Sequence, residues 1–135
     1  MRQPARPPII LARSEAARLT ALAEEMEHAS PQAANLLLDE IERARVVADD
    51  KVPEDVVRLH STVRFVDEAH GHERTVELVL PHQADIEAGR ISVLTPIGAG
   101  LIGLRPDQVI TWPDREGHKR RLRVVEVRLT AATAA

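Results

Sequence analysis

Three glutamates near the end of a predicted helix are the residues best suited to metal chemistry. Glu24, Glu25 and Glu27 lie just before a predicted loop, Ala29–Ala33, in which Ser30 is predicted to cap the next helix. Carboxylate oxygens are the ligands that hard cations such as Mg²⁺ prefer. The loop itself contains no acid, and three glutamates late in a helix ordinarily form a solvated face. We therefore assign Glu25, Glu27 and Ser30 to the tip of a helical hairpin and predict no metal site.

The other residues capable of chemistry form no recognisable constellation. Six histidines are scattered along the chain, and only His70 and His72 lie close together in sequence. A metal site needs convergent ligands and a supporting second layer of hydrogen bonds. The absence of cysteine excludes thiolate catalysis, disulfides and cysteine-based zinc sites. No Ser-His-Asp context, phosphate-binding loop or dinucleotide fingerprint is present, so we predict no catalytic residue, no cofactor and no enzyme activity.

The composition limits the classes of partner. With 135 residues the chain has room for one modest core, and its formal net charge is −3. A sequence-independent DNA-binding protein presents a basic surface, and a single-strand binder presents several aromatic faces. Here the only aromatic residues are Phe65 and Trp112, and the one dense basic run, Lys119–Arg121 with Arg123, is predicted to line a solvated edge strand. Contact with nucleic acid is therefore expected only indirectly, through a protein partner.

Residues 14–48 have helical periodicity. Ser14 is predicted to cap a first helix, and Ser30 and Pro31 are predicted to cap and open a second one. The apolar side of the first helix comprises Leu19, Leu22, Ala23 and Met26. One side of the second helix comprises Ala34, Leu37, Leu38, Ile41, Ala44, Arg45 and Ala48. Two short helices joined by a tight loop are expected to form an antiparallel hairpin, a short coiled coil.

Residues 63–129 are mainly strand-like. Alternating apolar residues predict strands at 62–68, 72–80, 90–94, 108–112 and 119–129. In the last strand, strict alternation puts Val125, Val127 and Leu129 on one face and Leu122 and Val124 on the other. The predicted fold class is α+β, a short N-terminal antiparallel helical hairpin followed by a mainly antiparallel sheet with one short helix.

The segment from Gln83 to Ile110 has the most specific pattern. Gly89 is expected to adopt a left-handed conformation that closes the turn after Asp85. Thr95 offers a capping hydroxyl, and Pro96 occupies the first helical position, where its missing N–H costs nothing. Three glycines, Gly98, Gly100 and Gly103, allow close backbone approach around this short helix.

This segment resembles the C-terminal domain of the Gre transcript-cleavage factors. The family pattern runs A-D-x-x-x-G-x-I-S, then S-P-[IV]-[AG]-x-A-L-[IL]-G, then a turn, G-D and a strand. The stretch from Pro53 to Asp67 looks like the entry to the same domain, and the whole chain is most similar to the Rnk (regulator of nucleoside diphosphate kinase) branch of the GreA/GreB superfamily. That branch keeps the C-terminal domain and has a shortened N-terminal hairpin. The resemblance implies an FKBP-like fold for residues 51–135, with residues 1–50 forming the hairpin.

The resemblance also implies RNA polymerase as the partner. The Gre-type C-terminal domain docks at the outer rim of the secondary channel with its coil pointing inward. The docking surface here would be Leu94, Thr95, Pro96 and Ile97, although some Gre factors have an acid at the position of Leu94. True Gre factors have two acids at the coil tip, which help to hold a second Mg²⁺ in the polymerase active centre. The predicted function is therefore regulation of transcription elongation, in competition with Gre factors and without stimulating transcript cleavage.

Two other functions stay open at this stage. An active cleavage factor would need Glu25 and Glu27 as its working acids. A peptidyl-prolyl isomerase is conceivable because the implied fold is FKBP-like, but its pocket is lined by several aromatic side chains, and this chain has two aromatic residues. The N-terminus lacks the apolar core of a signal peptide and no run is long enough to span a bilayer, so a cytoplasmic monomer without membrane contact is expected.

Overall fold

The computed structural model describes residues 8–68, 70–113 and 119–129. Within these ranges the helices and strands are, in chain order, β1 (Ile10–Ala12), α1 (Arg13–Glu25), α2 (Pro31–Arg43), β2 (Arg45–Val47), β3 (Ser61–Asp67), β4 (His72–Val79), β5 (Arg90–Ser92), α3 (Pro96–Leu101), β6 (Val109–Pro113) and β7 (Lys119–Leu129).

Five strands form one sheet in the order β5-β4-β3-β7-β6. Neighbouring strands are antiparallel except β4 and β5, which are parallel. The ten residues between these two strands reverse the chain direction twice, so that Arg90 pairs with Glu77 and both strands run the same way. One face of the sheet is buried, through side chains that include Val63, Phe65, Val76, Leu78 and Val124. The predicted α+β fold with a mainly antiparallel sheet is confirmed.

The last strand contains a bulge. Its pairing with β3 shifts between Arg64 and Phe65, so that Val125 is an extra residue without an opposite partner. An extra residue reverses the alternation of side chains beyond it, and Val127 is therefore buried on the same face as Val124. The strict alternation predicted from the sequence, which placed these two residues on opposite faces, is wrong.

The basic run does not lie on an edge strand. Because β7 pairs with β3 on one side and β6 on the other, it is an interior strand, and the edge-strand prediction is wrong. Arg121 and Arg123 are both exposed, and their Nε atoms lie 3.1 and 3.4 Å from the carboxylate oxygens of Glu68. The side chains of Lys119 and Arg120 lie outside the described part of the chain.

The two N-terminal helices form the predicted hairpin, but its ends differ from the prediction. The second helix stops at Arg43, and residues 45–47 form β2, which pairs in parallel with β1 just before α1. The assignment of Arg45 and Ala48 to a helix face is therefore wrong. Ser14 is not the cap either, since α1 begins at Arg13 and the N–H of Ser14 is bound by Asp49 from outside the helix.

The hairpin and the sheet share one hydrophobic core. The two helices contact each other, and their buried residues belong to the same cluster as the inner face of the sheet, among them Leu19, Ala23, Ala34 and Leu37. The N-terminal segment also enters this cluster. Ile9 is 1% exposed and lies against Gly103, whose φ of 82° suits glycine and whose added Cβ would come within 2.8 Å of the Ile9 side chain.

Candidate functional site

The predicted docking residues, Leu94–Ile97, are preceded in the chain by a hydrogen-bonded turn at residues 85–90. The carboxylate of Asp85 accepts a hydrogen bond from the N–H of Ala88 at 3.3 Å, and the backbones of Asp85 and Arg90 pair across the turn. Gly89 closes it in the left-handed conformation, with a φ of 79°, as the sequence predicted. The chain therefore enters β5 in one defined direction.

The start of α3 is held by a hydroxyl with two hydrogen bonds. The Thr95 hydroxyl accepts from the N–H of Gly98 at 3.0 Å and donates to the carbonyl of Ser92 at 2.8 Å. Pro96 occupies the first helical position, so the predicted cap and helix start are both present. In addition, the N–H of Leu94 donates to the Ser92 hydroxyl at 2.9 Å. These bonds hold residues 92–98 as one preformed corner.

The four predicted docking residues differ in exposure. Pro96 is exposed, Thr95 and Ile97 are half-buried, and Leu94 is 9% exposed and belongs to the core. The accessible part of the predicted docking surface therefore comprises Thr95, Pro96 and Ile97. We call these three residues the docking corner.

Gly98, the residue after the docking corner, lies where the backbones of α3 and β5 pack closely together. A Cβ at Gly98 would lie 2.1 Å from the carbonyl oxygen of Ser92 and 2.9 Å from the Cα of Val93. Because both of those atoms are backbone, a side chain at this position would have to push α3 away from β5. At Gly100 the nearest atom is the Cδ1 of Ile110, 2.7 Å away, which is the far end of a movable side chain.

The hairpin lies against the helix that carries the docking corner. α2 contacts α3. Partly buried apolar residues of α2, namely Leu36, Leu38 and Ile41, pack against the common core. Sequence periodicity identified an apolar side of α2 but not the helix that it meets. The hairpin and the docking corner are consequently neighbours.

The hairpin tip is exposed and short. Each helix has 13 residues and residues 26–30 join them, so the loop predicted at Ala29–Ala33 is wrong, because Pro31 already begins α2. Glu25 ends α1 and Glu27 lies in the loop, and both are exposed. Ser30 is half-buried at the cap position of α2, but its side chain makes no capping hydrogen bond, while its N–H donates to the carbonyl of Met26 at 2.8 Å. Among the described residues, no group of three or more histidine, aspartate or glutamate side chains is arranged to hold a metal ion.

Two carboxylates at the base of the hairpin were missed by the sequence reasoning. Asp49 accepts hydrogen bonds from the hydroxyl and the N–H of Ser14, and these two bonds lower the pKa of its carboxyl. Glu15 accepts from the Arg58 guanidinium at 2.9 Å and from the N–H of Leu59 at 3.3 Å. Both contacts span more than thirty residues, so no local pattern in the sequence indicates them.

The histidines contribute no metal centre in the described chain. The rings of His70 and His72 stack with their centroids 5.8 Å apart beside the turn between β3 and β4. His60 and His82 line an open recess of about 380 Å³ with Glu77, where the His60 Nδ1 lies 3.8 Å from the carboxylate. We see no nucleophile or convergent donor set there.

Comparison with known proteins identifies the family. Residues 52–129 match the family described as "Transcription elongation factor, GreA/GreB, C-term", and residues 7–47 match the family described as "Rnk N-terminus". The chain belongs to the GreA/GreB family. The match of its N-terminal part places it in the Rnk branch, as the resemblance indicated.

The relatives and a solved structure agree with this assignment. The chain is 34% identical to a regulator of nucleoside diphosphate kinase from Escherichia coli K12 over 90% of both proteins. It is 37% identical to the transcription elongation factor GreA of Azorhizobium caulinodans, over 91% of this chain and 83% of that protein. The solved GreA/GreB factor from Nitrosomonas europaea superposes with a TM-score of 0.71 at 36% identity, over 91% of this chain and 99% of the other.

No helix in the described part of the chain is both long and apolar enough to cross a membrane. The family assignment concerns transcription elongation, and the matched regulator is named for its effect on another enzyme.

Proposed function

We propose that this protein binds RNA polymerase at the rim of the secondary channel through its docking corner and regulates elongation by occupying the site that Gre factors use. The observation that carries the proposal is the preformed corner at residues 92–98, with its capped helix start and exposed Pro96. A rigid turn makes a good docking edge because little conformational entropy is lost on binding. Membership of the GreA/GreB family supports RNA polymerase as the partner.

The hairpin supports a role without transcript cleavage. At 1.5 Å per residue, a 13-residue helix is only about 20 Å long. The segment that joins the two helices, residues 26–30, contains a single carboxylate, that of Glu27, whereas the Gre factors have two acids at the coil tip. An arm this short can obstruct the entrance to the channel but is poorly suited to delivering a metal ligand to a deeply buried active centre.

One observation favours the second candidate, an active cleavage factor. Glu25 and Glu27 are both exposed at the end of α1, close to the tip, where they are free to approach a metal ion. The two candidates make opposite predictions for transcript cleavage, which a direct assay separates. A prolyl isomerase gains no comparable support, because Phe65 is 2% exposed and lies in the core rather than in a pocket.

The binding part of the proposal is tested at Pro96. A Pro96→Glu variant should keep the fold, because the first helical position needs no intrahelical N–H bond and a carboxylate there interacts favourably with the helix dipole. It should bind core RNA polymerase at least tenfold more weakly in a pull-down or titration. The matched control is Thr75→Glu, which puts the same charge at an exposed position of β4, and this variant should bind normally. Equal binding by both variants would exclude the docking corner.

A further inference from the structure

The first turn of α1 is tied to the segment that leads from the hairpin into the sheet. Glu15 accepts hydrogen bonds through both carboxylate oxygens, Oε2 from the Nε of Arg58 at 2.9 Å and Oε1 from the N–H of Leu59 at 3.3 Å. Its side chain is only 14% exposed, and that of Arg58 is 29% exposed. A charge-assisted hydrogen bond that is partly shielded from solvent is stronger and more directional than an ion pair on the surface.

A second tie lies beside the first. Asp49, in the turn after β2, accepts from the N–H of Ser14 at 3.0 Å and also from the Ser14 hydroxyl. The helix thereby gains a partner for one of its unpaired N–H groups. Two consecutive residues of α1 are thus bonded to a segment that is 35 to 44 residues away in sequence.

The position of these ties matters because of how the hairpin is attached. The chain enters the hairpin at Ala12–Arg13 and leaves it at Ala44–Arg45, and the ladder between β1 and β2 holds these two points side by side. Two attachment points define an axis, about which a rigid hairpin can still rock. The core that the hairpin shares with the sheet, together with the contact of α2 with α3, resists rocking through apolar packing, which has little directional preference. The Glu15 contact adds a directional bond between the first turn of α1 and the segment that precedes β3.

We propose that Glu15, held by Arg58 and the Leu59 amide, is a positioning residue that sets the direction in which the hairpin leaves the sheet. Its importance for regulation rests on the proposed function, because the tip of a docked protein lies where that direction puts it. A rotation of about 15° at the base of an arm of about 20 Å moves the tip by about 5 Å. A displacement of this size is measurable without polymerase.

The test is a distance measurement between two spin labels. The sequence contains no cysteine, so Ala29→Cys at the tip and Thr75→Cys on the sheet give two unique, exposed labelling sites. In the otherwise unchanged protein we expect one narrow distance distribution. Glu15→Ala should widen the distribution or shift its mean by about 5 Å or more. Glu15→Gln keeps one acceptor oxygen for the Leu59 amide and should have a smaller effect.

The control is Glu24→Ala, which removes an exposed glutamate from the same helix and should leave the distribution unchanged. Arg58→Met removes the guanidinium that donates to Glu15 but keeps an apolar side chain, and it should reproduce the effect of Glu15→Ala. If the Glu15 and Arg58 variants are folded by circular dichroism and melt at lower temperature, yet give the unchanged narrow distribution, the residue is only structural and the proposal is wrong. The measurement uses the protein alone, so its outcome does not depend on whether the docking corner binds polymerase.

Discussion

Gly98 offers a test in which two opposing effects have to be weighed. In an ordinary helix, replacing an interior glycine by alanine stabilises the protein by about 1 kcal/mol, because glycine loses more backbone entropy on folding. At this position, however, the new Cβ would lie 2.1 Å from the Ser92 carbonyl oxygen and 3.0 Å from its carbonyl carbon. Neither atom belongs to a side chain that could rotate away. The strand and the helix would have to separate.

The size of the effect follows from what that separation costs. Overpacking in a well-packed region ordinarily costs about 1–3 kcal/mol, and a backbone clash this close belongs at the upper end. Moving α3 also strains the bond from the Thr95 hydroxyl to Ser92, now 2.8 Å long, whose loss would cost about 1 kcal/mol. After the gain in helix propensity, Gly98→Ala should lower the free energy of unfolding by about 2 kcal/mol or more.

The assay is equilibrium unfolding in urea, followed by far-UV circular dichroism. Gly100→Ala is the matched control, because it makes the same change in the same helix but meets only the movable Cδ1 of Ile110. The control should stay within about 1 kcal/mol of the unchanged protein. A Gly98→Ala variant as stable as the unchanged protein, or more stable, would show that α3 is not seated on β5 as described, and would remove the reasoning behind a preformed docking corner.

The remaining predictions concern the base of the hairpin and its dependence on the sheet. Because hydrogen bonds from Ser14 lower the folded-state pKa of Asp49, the contact stabilises the protein above the unfolded pKa of about 4 and is lost as the pH falls through the lower folded value. The difference in stability between the unchanged protein and Asp49→Asn should therefore shrink as the pH is lowered from 5 towards 3, and a difference that grows towards acid pH would contradict the assignment. A fragment comprising residues 1–50 should be largely unstructured by circular dichroism, because isolated helices of 13 residues are marginal in water and Leu19 and Leu37 are buried in a core shared with the sheet. A fragment beginning at Val52 should melt cooperatively, at a lower temperature than the whole chain, and a stably helical isolated hairpin would show that its own packing is sufficient.

The features that could be predicted from the sequence depend on local chemistry. Thr95 and Pro96 specify a helix start through their own side chains, and Gly89 specifies a left-handed turn because other residues rarely adopt that conformation. The strands at the centre of the sheet, such as Ser61–Asp67, are long enough for an alternating pattern to emerge. The same local rules place Pro31 at the start of α2.

The features that were missed depend on contacts between distant parts of the chain. β1 and β2 have three residues each, too few to show a period, and each is a strand only because the other lies beside it. The bulge at Val125 is set by pairing with β3, which leaves no signal in β7 alone. Asp49 binds the start of α1 from 35 residues away and so replaces the expected cap at Ser14. The burial of Leu94 likewise follows from where β5 meets the core, not from its neighbours in sequence.

The central claim is that the protein occupies the Gre site without activating cleavage, and a transcript-cleavage assay on backtracked elongation complexes tests it most directly. Cleavage rates are compared for polymerase alone, with this protein, with a Gre factor, and with the Gre factor plus an excess of this protein. The protein alone should add nothing to the intrinsic rate, and in excess it should reduce the Gre-stimulated rate, whereas its Pro96→Glu variant should reduce it far less. Stimulation by the protein alone that disappears in a variant with Glu25→Ala and Glu27→Ala would contradict this account and would make those two glutamates the working acids of a cleavage factor.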